Sequence, residues 1–257
     1  MQEVAAPRRK KGWMNLKVTH LIEETWDTKT FFLEDADEGS CPFDYIAGQY
    51  LTFRFDSIAE RPVARSYTMS SSPSQAGFAA VTVKRVPGGL VSNWLCDEVK
   101  VGTVLKARGP IGKFAYDPSF CRSHLIMVGA GSGVTPFISM MREYAPRLGQ
   151  PGAPKEMTLL VAYRSKADLI CWKEIEELRT VPGVRIVCTL TREDARAEGF
   201  LYGRPDEGML AEVCRGTYAD ATYMTCGPDA MMHLVVEFVK GQGVPDEHAM
   251  MESFGNG

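Results

Sequence analysis

Arg65-Ser66-Tyr67-Thr68 reads as the end of a β-strand that carries a cation, an aromatic ring and a hydroxyl. A guanidinium is planar and permanently charged, which suits it to fork onto a phosphate. Side chains two positions apart on a strand point the same way. The Tyr67 ring therefore offers a flat surface beside the anion that Arg65 would hold, and Thr68 adds a hydroxyl for a ring nitrogen. Taken alone, the same residues also describe an ordinary strand with one surface arginine and one half-buried tyrosine.

Five further segments stand out, four of them with comparable chemistry. Lys84 ends a strand, and Gly88-Gly89-Leu90-Val91-Ser92 follows Pro87 and opens a helix. Glycines there free backbone N–H groups to meet a phosphate, and the helix start adds partial positive charge. A plain Pro-Gly-Gly turn is the other reading. Gly129-Ala130-Gly131-Ser132-Gly133-Val134-Thr135-Pro136 follows a strand and opens another helix. Such a loop lets backbone approach a pyrophosphate, although Val134 stands where the Rossmann fingerprint has its third glycine. Pro136 suits the first helical turn. Cys226-Gly227-Pro228 ends a later strand, and ligands of open α/β sheets bind beyond such carboxyl ends. Glu252 and Phe254 stand at the C-terminus, where an aromatic is commonly only packing. Gly109-Pro110-Ile111-Gly112-Lys113-Phe114 reads as a structural turn.

These segments need two different frames. Asn15–Ile22, Thr28–Leu33, Gln49–Phe55, Ala64–Met69, Phe78–Val86 and Thr103–Arg108 are short, rich in β-branched and aromatic residues, and separated by turn formers. With one helix over Leu90–Glu98 they predict a closed or nearly closed antiparallel β-barrel. The rhythm changes near 117–122. Strands over 124–129, 157–163, 184–190 and 221–226 then alternate with helices over 134–145, 169–179 and 229–240. That alternation predicts a parallel sheet with helices on both faces. The division is a tail over 1–12, a barrel over 13–118 and an α/β domain over 119–257.

Composition removes other classes. The 257 residues are 45% hydrophobic and 24% charged with a net charge of −3, so nothing electrostatic favours nucleic acid. Arg8-Arg9-Lys10-Lys11 reads as a solvated tail. No run is long and apolar enough to span a bilayer, and the start lacks the apolar core of a signal peptide. The seven cysteines are scattered without a C-x2-C pair, and the four histidines share no ligand spacing. Reduced thiols, no metal in this chain and a cytoplasmic location are the expectation.

In their order along the chain, the Arg-x-Tyr-Thr strand, the Gly-Gly-x-x-Ser loop, the Gly-Pro-x-Gly-x-Phe turn, the Gly-x-Gly-x-Gly-x-x-Pro loop, the Cys-Gly-Pro and the late Glu-x-Phe resemble the ferredoxin–NADP reductase superfamily, over roughly residues 14–254. Within it the chain looks most like reductase components of oxygenases and the reductase of hybrid-cluster protein. The resemblance implies a flavin-binding barrel and an NAD(P)-binding domain, with hydride passing from nicotinamide to flavin and single electrons then passing to an iron–sulfur protein. The flavin would be FAD, with FMN as the rival. Arg65 would pair with its phosphate, Tyr67 would lie against the ring, Thr68 would approach its N5, and Gly88–Ser92 would hold the flavin phosphates, with Ser66 and Lys84 also cofactor-binding. Gly131, Ser132, Gly133, Val134 and Thr135 would take the dinucleotide pyrophosphate. Cys226, Gly227 and Pro228 would frame the nicotinamide, with Thr68, Cys226, Glu252 and Phe254 at the reacting edge.

Two points stay open at this level. Arg164 stands where an acidic residue would bind a ribose hydroxyl, and Arg192 can join it around a 2′-phosphate, which favours NADPH; the nearer relatives by resemblance use NADH, and the arginines equally suit adenine or solvent. Many relatives also carry a [2Fe–2S] domain fused at one end, and its cysteines are absent here. The acceptor is therefore a separate ferredoxin or oxygenase component, or this chain is a piece of a longer one. Small acceptors such as free flavin or ferric chelates, and a non-catalytic flavin- and nucleotide-binding subunit, are the alternative functions.

Overall fold

The computed structural model describes residues 10, 12–75 and 77–254. Most of the expected tail over 1–12, with most of its basic run, lies outside them. Of that run Lys10 is described, and its ammonium pairs with Asp35 at 2.8 Å and Glu38 at 3.2 Å.

The first half forms strands β1 (Trp13–Thr25), β2 (Thr28–Asp35), β3 (Tyr50–Phe55), β4 (Val63–Thr68), β5 (Ala79–Lys84) and β6 (Val104–Ile111), with helix α1 (Leu90–Glu98) between β5 and β6. They make one antiparallel sheet in the order β4-β3-β6-β1-β2-β5. Alternation sets the faces: Leu51, Phe53 and Phe55 of β3 enter a core with Leu16, Val18, Phe31, Val83 and Leu105. The sheet curls until its two end strands meet, but only through a bridge between Met69, just past β4, and Val81. The barrel thus has a thin seam. Along that seam β4 has no further ladder partner among the described residues, so its edge groups are left for solvent or a ligand.

The second half forms β7 (His124–Ala130), α2 (Thr135–Tyr144), β8 (Glu156–Tyr163), α3 (Trp172–Leu178), β9 (Val184–Leu190), β10 (Leu201–Tyr202), α4 (Glu207–Cys214), β11 (Ala221–Cys226), α5 (Asp229–Gly241) and β12 (Ala249–Glu252). The strands pair in parallel in the order β10-β9-β8-β7-β11-β12. Leu125 and Met127 of β7 face one core, and Ile126 and Val128 face the other. Both sides of the sheet are therefore covered. The winding reverses between β7 and β11, which opens a crevice at the carboxyl ends of these two strands.

Three local outcomes depart from the sequence reading. The helix expected over 169–179 starts at Trp172, because Leu169 and Ile170 are drawn into the core and Cys171 takes a left-handed turn at φ 52°. Helix α4 and strands β10 and β12 are additional. In α4 the Asp206 carboxylate caps the helix by accepting from the Met209 N–H at 2.8 Å. The turn at 109–114 delivers Phe114 and Tyr116 into the core of the second sheet, beside Phe137 and Tyr144 at ring separations of 6.0 and 5.3 Å. Gly48 lies beneath that crossing at φ 103°, where a Cβ would come within 2.0 Å of the Phe114 carbonyl oxygen.

Candidate active site

One cleft of about 340 Å³ collects the predicted segments from both halves of the chain. Arg65 to Thr68 and Thr82 line it from the two strands that flank the seam. Lys84 lines it from the end of β5, Gly88, Gly89, Leu90, Val91 and Ser92 from the loop and first turn of α1, Ser132 and Thr135 from the turn after β7 and the start of α2, and Phe254 from beyond β12. Its volume falls in the range of small-molecule sites, about 300–1,000 Å³.

Register explains the first wall. Arg65 lies opposite Phe53 and Tyr67 opposite Leu51, both inward positions of β3. Tyr67 packs against Phe53 at 6.0 Å between centroids, and burial pushes its phenol above the usual value, so it is a neutral ring. Ser66 faces the other way and shares a hydrogen bond of 3.0 Å with Thr52. Thr68 is buried. The exposed Arg65 guanidinium donates to its neighbour's carbonyl, Ala64, at 2.8 Å and has no ion-pair partner among the described residues. Helix α1 starts at Gly89 without a side-chain cap or an acidic residue in its first turn. Gly88 turns at φ 72°, and Ser92 Oγ accepts from the Val86 N–H at 3.1 Å and so holds the loop closed over the helix start. An unpaired guanidinium and an uncapped helix N-terminus on one cleft fit a phosphate group.

Lys84 differs from the expectation. Its ammonium lines the cleft but is held at 2.6 Å by both carboxylate oxygens of Asp27, with Asp168 at 3.7 Å. Burial works against the charge on Asp27, yet Lys84 and the hydroxyls of Thr25 and Thr28 outweigh it and hold the carboxyl below its usual value. Lys84 is committed to an ion pair rather than free for an anion. Replacing Lys84 with Met strands a buried carboxylate, with an expected loss of about 3 kcal/mol in folding free energy. Urea unfolding of the two proteins checks this, and equal midpoints would contradict it.

The second wall is the switch point. Gly131 to Val134 form a tight turn between β7 and α2, and Thr135 Oγ1 donates to the Ser132 carbonyl at 2.9 Å. Gly131 has φ 53° with open space around its Cβ position. Gly133 is different: a Cβ there would lie 2.2 Å from the carbonyl oxygen of Cys226. Its role is to let the turn after β7 seat against the turn after β11, where Gly227 adopts φ 151° and exposed Pro228 caps α5. Val134 is buried in the core. Arg164 and Arg192 follow β8 and β9 on adjacent loops joined by an Arg192 N–H to Arg164 carbonyl bond of 2.9 Å. Both are exposed and outside the residues lining the cleft.

Cys226 is wholly buried, and burial, with the Glu252 charge nearby, raises its thiol well above the usual value. It is a compact neutral group, not a nucleophile. Glu252 sits beside it in register on β12 and has no ion-pair partner among the described residues; burial raises its carboxyl. An acid raised in the folded state from an ordinary value near 4.5 holds an extra proton when folded, so stability falls as pH rises through that interval. Glu252→Gln is therefore expected to melt with wild type near about pH 4 and above it near about pH 8. Melting curves at both values check the sign. Phe254 is half exposed at the mouth of the cleft.

The sequence reading missed the contacts that join the walls. Ser139, Arg142 and Glu143 of α2 grip the 70–74 loop of the barrel. The signal was present, since a Ser, an Arg and a Glu recur on one face of an otherwise apolar helix. Among the described residues no group of three His, Cys, Asp or Glu side chains is placed to hold a metal ion, and no helix is long and apolar enough to cross a membrane.

A barrel and a parallel nucleotide-type sheet that line one cleft between them define the class of protein that brings two nucleotide-like ligands together. Residues 15–116 match the oxidoreductase FAD-binding domain and residues 127–237 the oxidoreductase NAD-binding domain. The chain belongs to the ferredoxin reductase-like family of FAD- and NAD-binding oxidoreductases. It is 33% identical over 248 residues to the glycine betaine monooxygenase reductase subunit of Chromohalobacter salexigens, covering 95% of this chain and 65% of that protein. It is 33% identical over 238 residues to NADH oxidoreductase HCR of Escherichia coli, covering 93% and 67%. The chain thus spans about two thirds of the length of such relatives. The FAD/NAD-binding domain of nitric oxide dioxygenase from Vibrio cholerae superposes with a TM-score of 0.82 at 27% identity, covering 96% of this chain and all of that one.

Proposed function

We propose that this chain is an NAD(P)H-dependent flavoprotein reductase, with residues 13–118 carrying FAD and residues 119–257 carrying the nicotinamide dinucleotide. The observation that carries this reading is the single cleft shared by Arg65–Thr68, Gly88–Ser92, Ser132 and Thr135. When bound, FAD would supply the chemistry that links a two-electron hydride donor to a one-electron acceptor.

The chain's own work is binding, orientation and exclusion of water. Arg65 and the N–H groups opening α1 hold the flavin phosphates, and Tyr67 and Thr68 hold its ring against the β4 edge. The Gly131–Thr135 turn receives the dinucleotide pyrophosphate at the start of α2. Cys226–Pro228 and Glu252 would frame the nicotinamide, and Phe254, at the mouth of the cleft, would lie at the reacting edge. Arg164 and Arg192 meet the adenosine end. Binding energy from these distant groups supports alignment at the reacting atoms.

The acceptor is proposed to be an iron–sulfur protein, a ferredoxin or an oxygenase component, by analogy with relatives named as monooxygenase reductase subunits. Anaerobic titration with NADH and NADPH tests the core of the proposal. The purified protein should be yellow and bleach with one equivalent of dinucleotide. A colourless chain that does not take up FAD, or a bound flavin that neither dinucleotide bleaches, would sink it. Cytochrome c reduction with and without an added [2Fe–2S] ferredoxin separates a protein acceptor from free flavin or ferric chelates.

A further inference from the structure

Ser139, Arg142 and Glu143 are spaced i, i+3 and i+4 and so share one face of α2. That face meets three successive residues of the loop leaving β4. Arg142 Nη1 donates to the Ser70 carbonyl at 2.6 Å, Ser139 Oγ donates to the Ser71 carbonyl at 2.6 Å, and Ser72 Oγ donates to Glu143 Oε2 at 2.6 Å. Glu143 also accepts from the Ser74 N–H at 3.0 Å and from Ser74 Oγ at 2.9 Å. Behind it, Arg147 donates to Oε1 at 2.8 Å, and Arg142 is itself held by Glu174. On the barrel side, the Ser71 hydroxyl is tied to the Ala80 N–H and the Tyr45 phenol. Ser70, Ser71, Ser72 and Ser139 are all buried.

We propose that Ser139, Arg142 and Glu143 are positioning residues for hydride transfer: they lock the strand that carries the flavin to the helix that begins at the dinucleotide turn. This rests on the reductase reading. The argument is geometric. β4 runs from Arg65 to Thr68 and continues directly into the gripped loop, while α2 starts at Thr135, beside the dinucleotide turn. One short helix, about 15 Å long at 1.5 Å per residue, therefore connects the two cradles. Apolar contacts across a seam tolerate sliding, whereas directional hydrogen bonds to consecutive residues set one register. A misplacement of about 1 Å between reacting groups costs about a hundredfold in rate. A buried carboxylate is an expensive way to gain stability alone, and here every hydrogen bond it receives from the barrel comes from the single loop that follows the flavin strand.

The test is anaerobic stopped-flow reduction of the FAD-loaded protein by NADH or NADPH, for wild type, Glu143→Ala, Glu143→Gln and Ser74→Ala. Glu143→Ala should lower the limiting reduction rate at least about tenfold, with the dinucleotide dissociation constant changed no more than about twofold and the flavin retained. Glu143→Gln keeps one acceptor oxygen and should recover part of the rate. Ser74→Ala, an exposed position that cannot threaten folding, should show a smaller loss of limiting rate in the same direction. An unchanged limiting rate in Ser74→Ala and in folded Glu143→Ala, or a loss that only tracks lost flavin, overturns the inference. Wild type that neither dinucleotide reduces would instead overturn the proposed function, and this inference with it.

Discussion

Arg65→Ala is expected to release the flavin, raising its dissociation constant about thirtyfold or more, equivalent to about 2 kcal/mol. The guanidinium lines the cleft with no carboxylate to satisfy it. It is therefore available to a phosphate without breaking an ion pair. Removing it leaves a phosphate charge to the helix N-terminus alone. The folded protein should lose little stability, because no native ion pair is broken. Flavin fluorescence in the flow-through after dialysis reads the loss directly. Full occupancy in the variant would show that the phosphate lies elsewhere. Lys84→Met makes the complementary comparison, since its expected cost falls on folding rather than on flavin retention.

A methyl group at Gly133 is expected to be more damaging than one at Gly131, which reverses the order a phosphate-loop reading suggests. At Gly133 the new Cβ would meet the Cys226 carbonyl at 2.2 Å, backbone against backbone, with no flexible side chain to yield. The turns after β7 and β11 would have to part, so Gly133→Ala should cost about 3 kcal/mol in stability and abolish reduction by dinucleotide. At Gly131 the space is open and the strain is that of a left-handed backbone, about 1 kcal/mol. Gly131→Ala should therefore fold, and any effect should fall on dinucleotide affinity. Thermal melting together with the NAD(P)H concentration dependence of flavin reduction separates the two. Equal melting temperatures for both variants would contradict the packing role given to Gly133.

The architecture was largely legible because periodicity reports burial. The strand over 49–55 was legible from its β-branched and aromatic residues, and its alternation matches the burial of Leu51, Phe53 and Phe55 in the barrel core. The helix over Leu90–Glu98 was legible because Pro87-Gly88-Gly89 punctuates its start. The helix beginning at 169 was misread by three residues. Leu169 and Ile170 serve the core, and the Cys171 N–H goes to Glu24 of the barrel at 3.2 Å. That partner is 147 residues away, beyond the reach of any local rule. Strand β12 escaped for the same reason: four residues have no pattern until β11 supplies their ladder.

By itself the sequence determined which chemistries the chain can offer. A guanidinium beside an aromatic ring, glycine-opened helix starts and a cation-rich pair of loops are local facts, fixed by residue type and spacing. Only the tertiary structure decided which of these groups are available and which are spent. It freed Arg65 and committed Lys84 to Asp27. It seated Gly133 against the Cys226 carbonyl, so that the glycine is also a packing point, and buried the Cys226 thiol. It also joined Ser70–Ser74 to α2 across about seventy residues of chain. Availability depends on which distant atoms occupy the same few ångströms, and that is set by long-range packing rather than by neighbours in sequence.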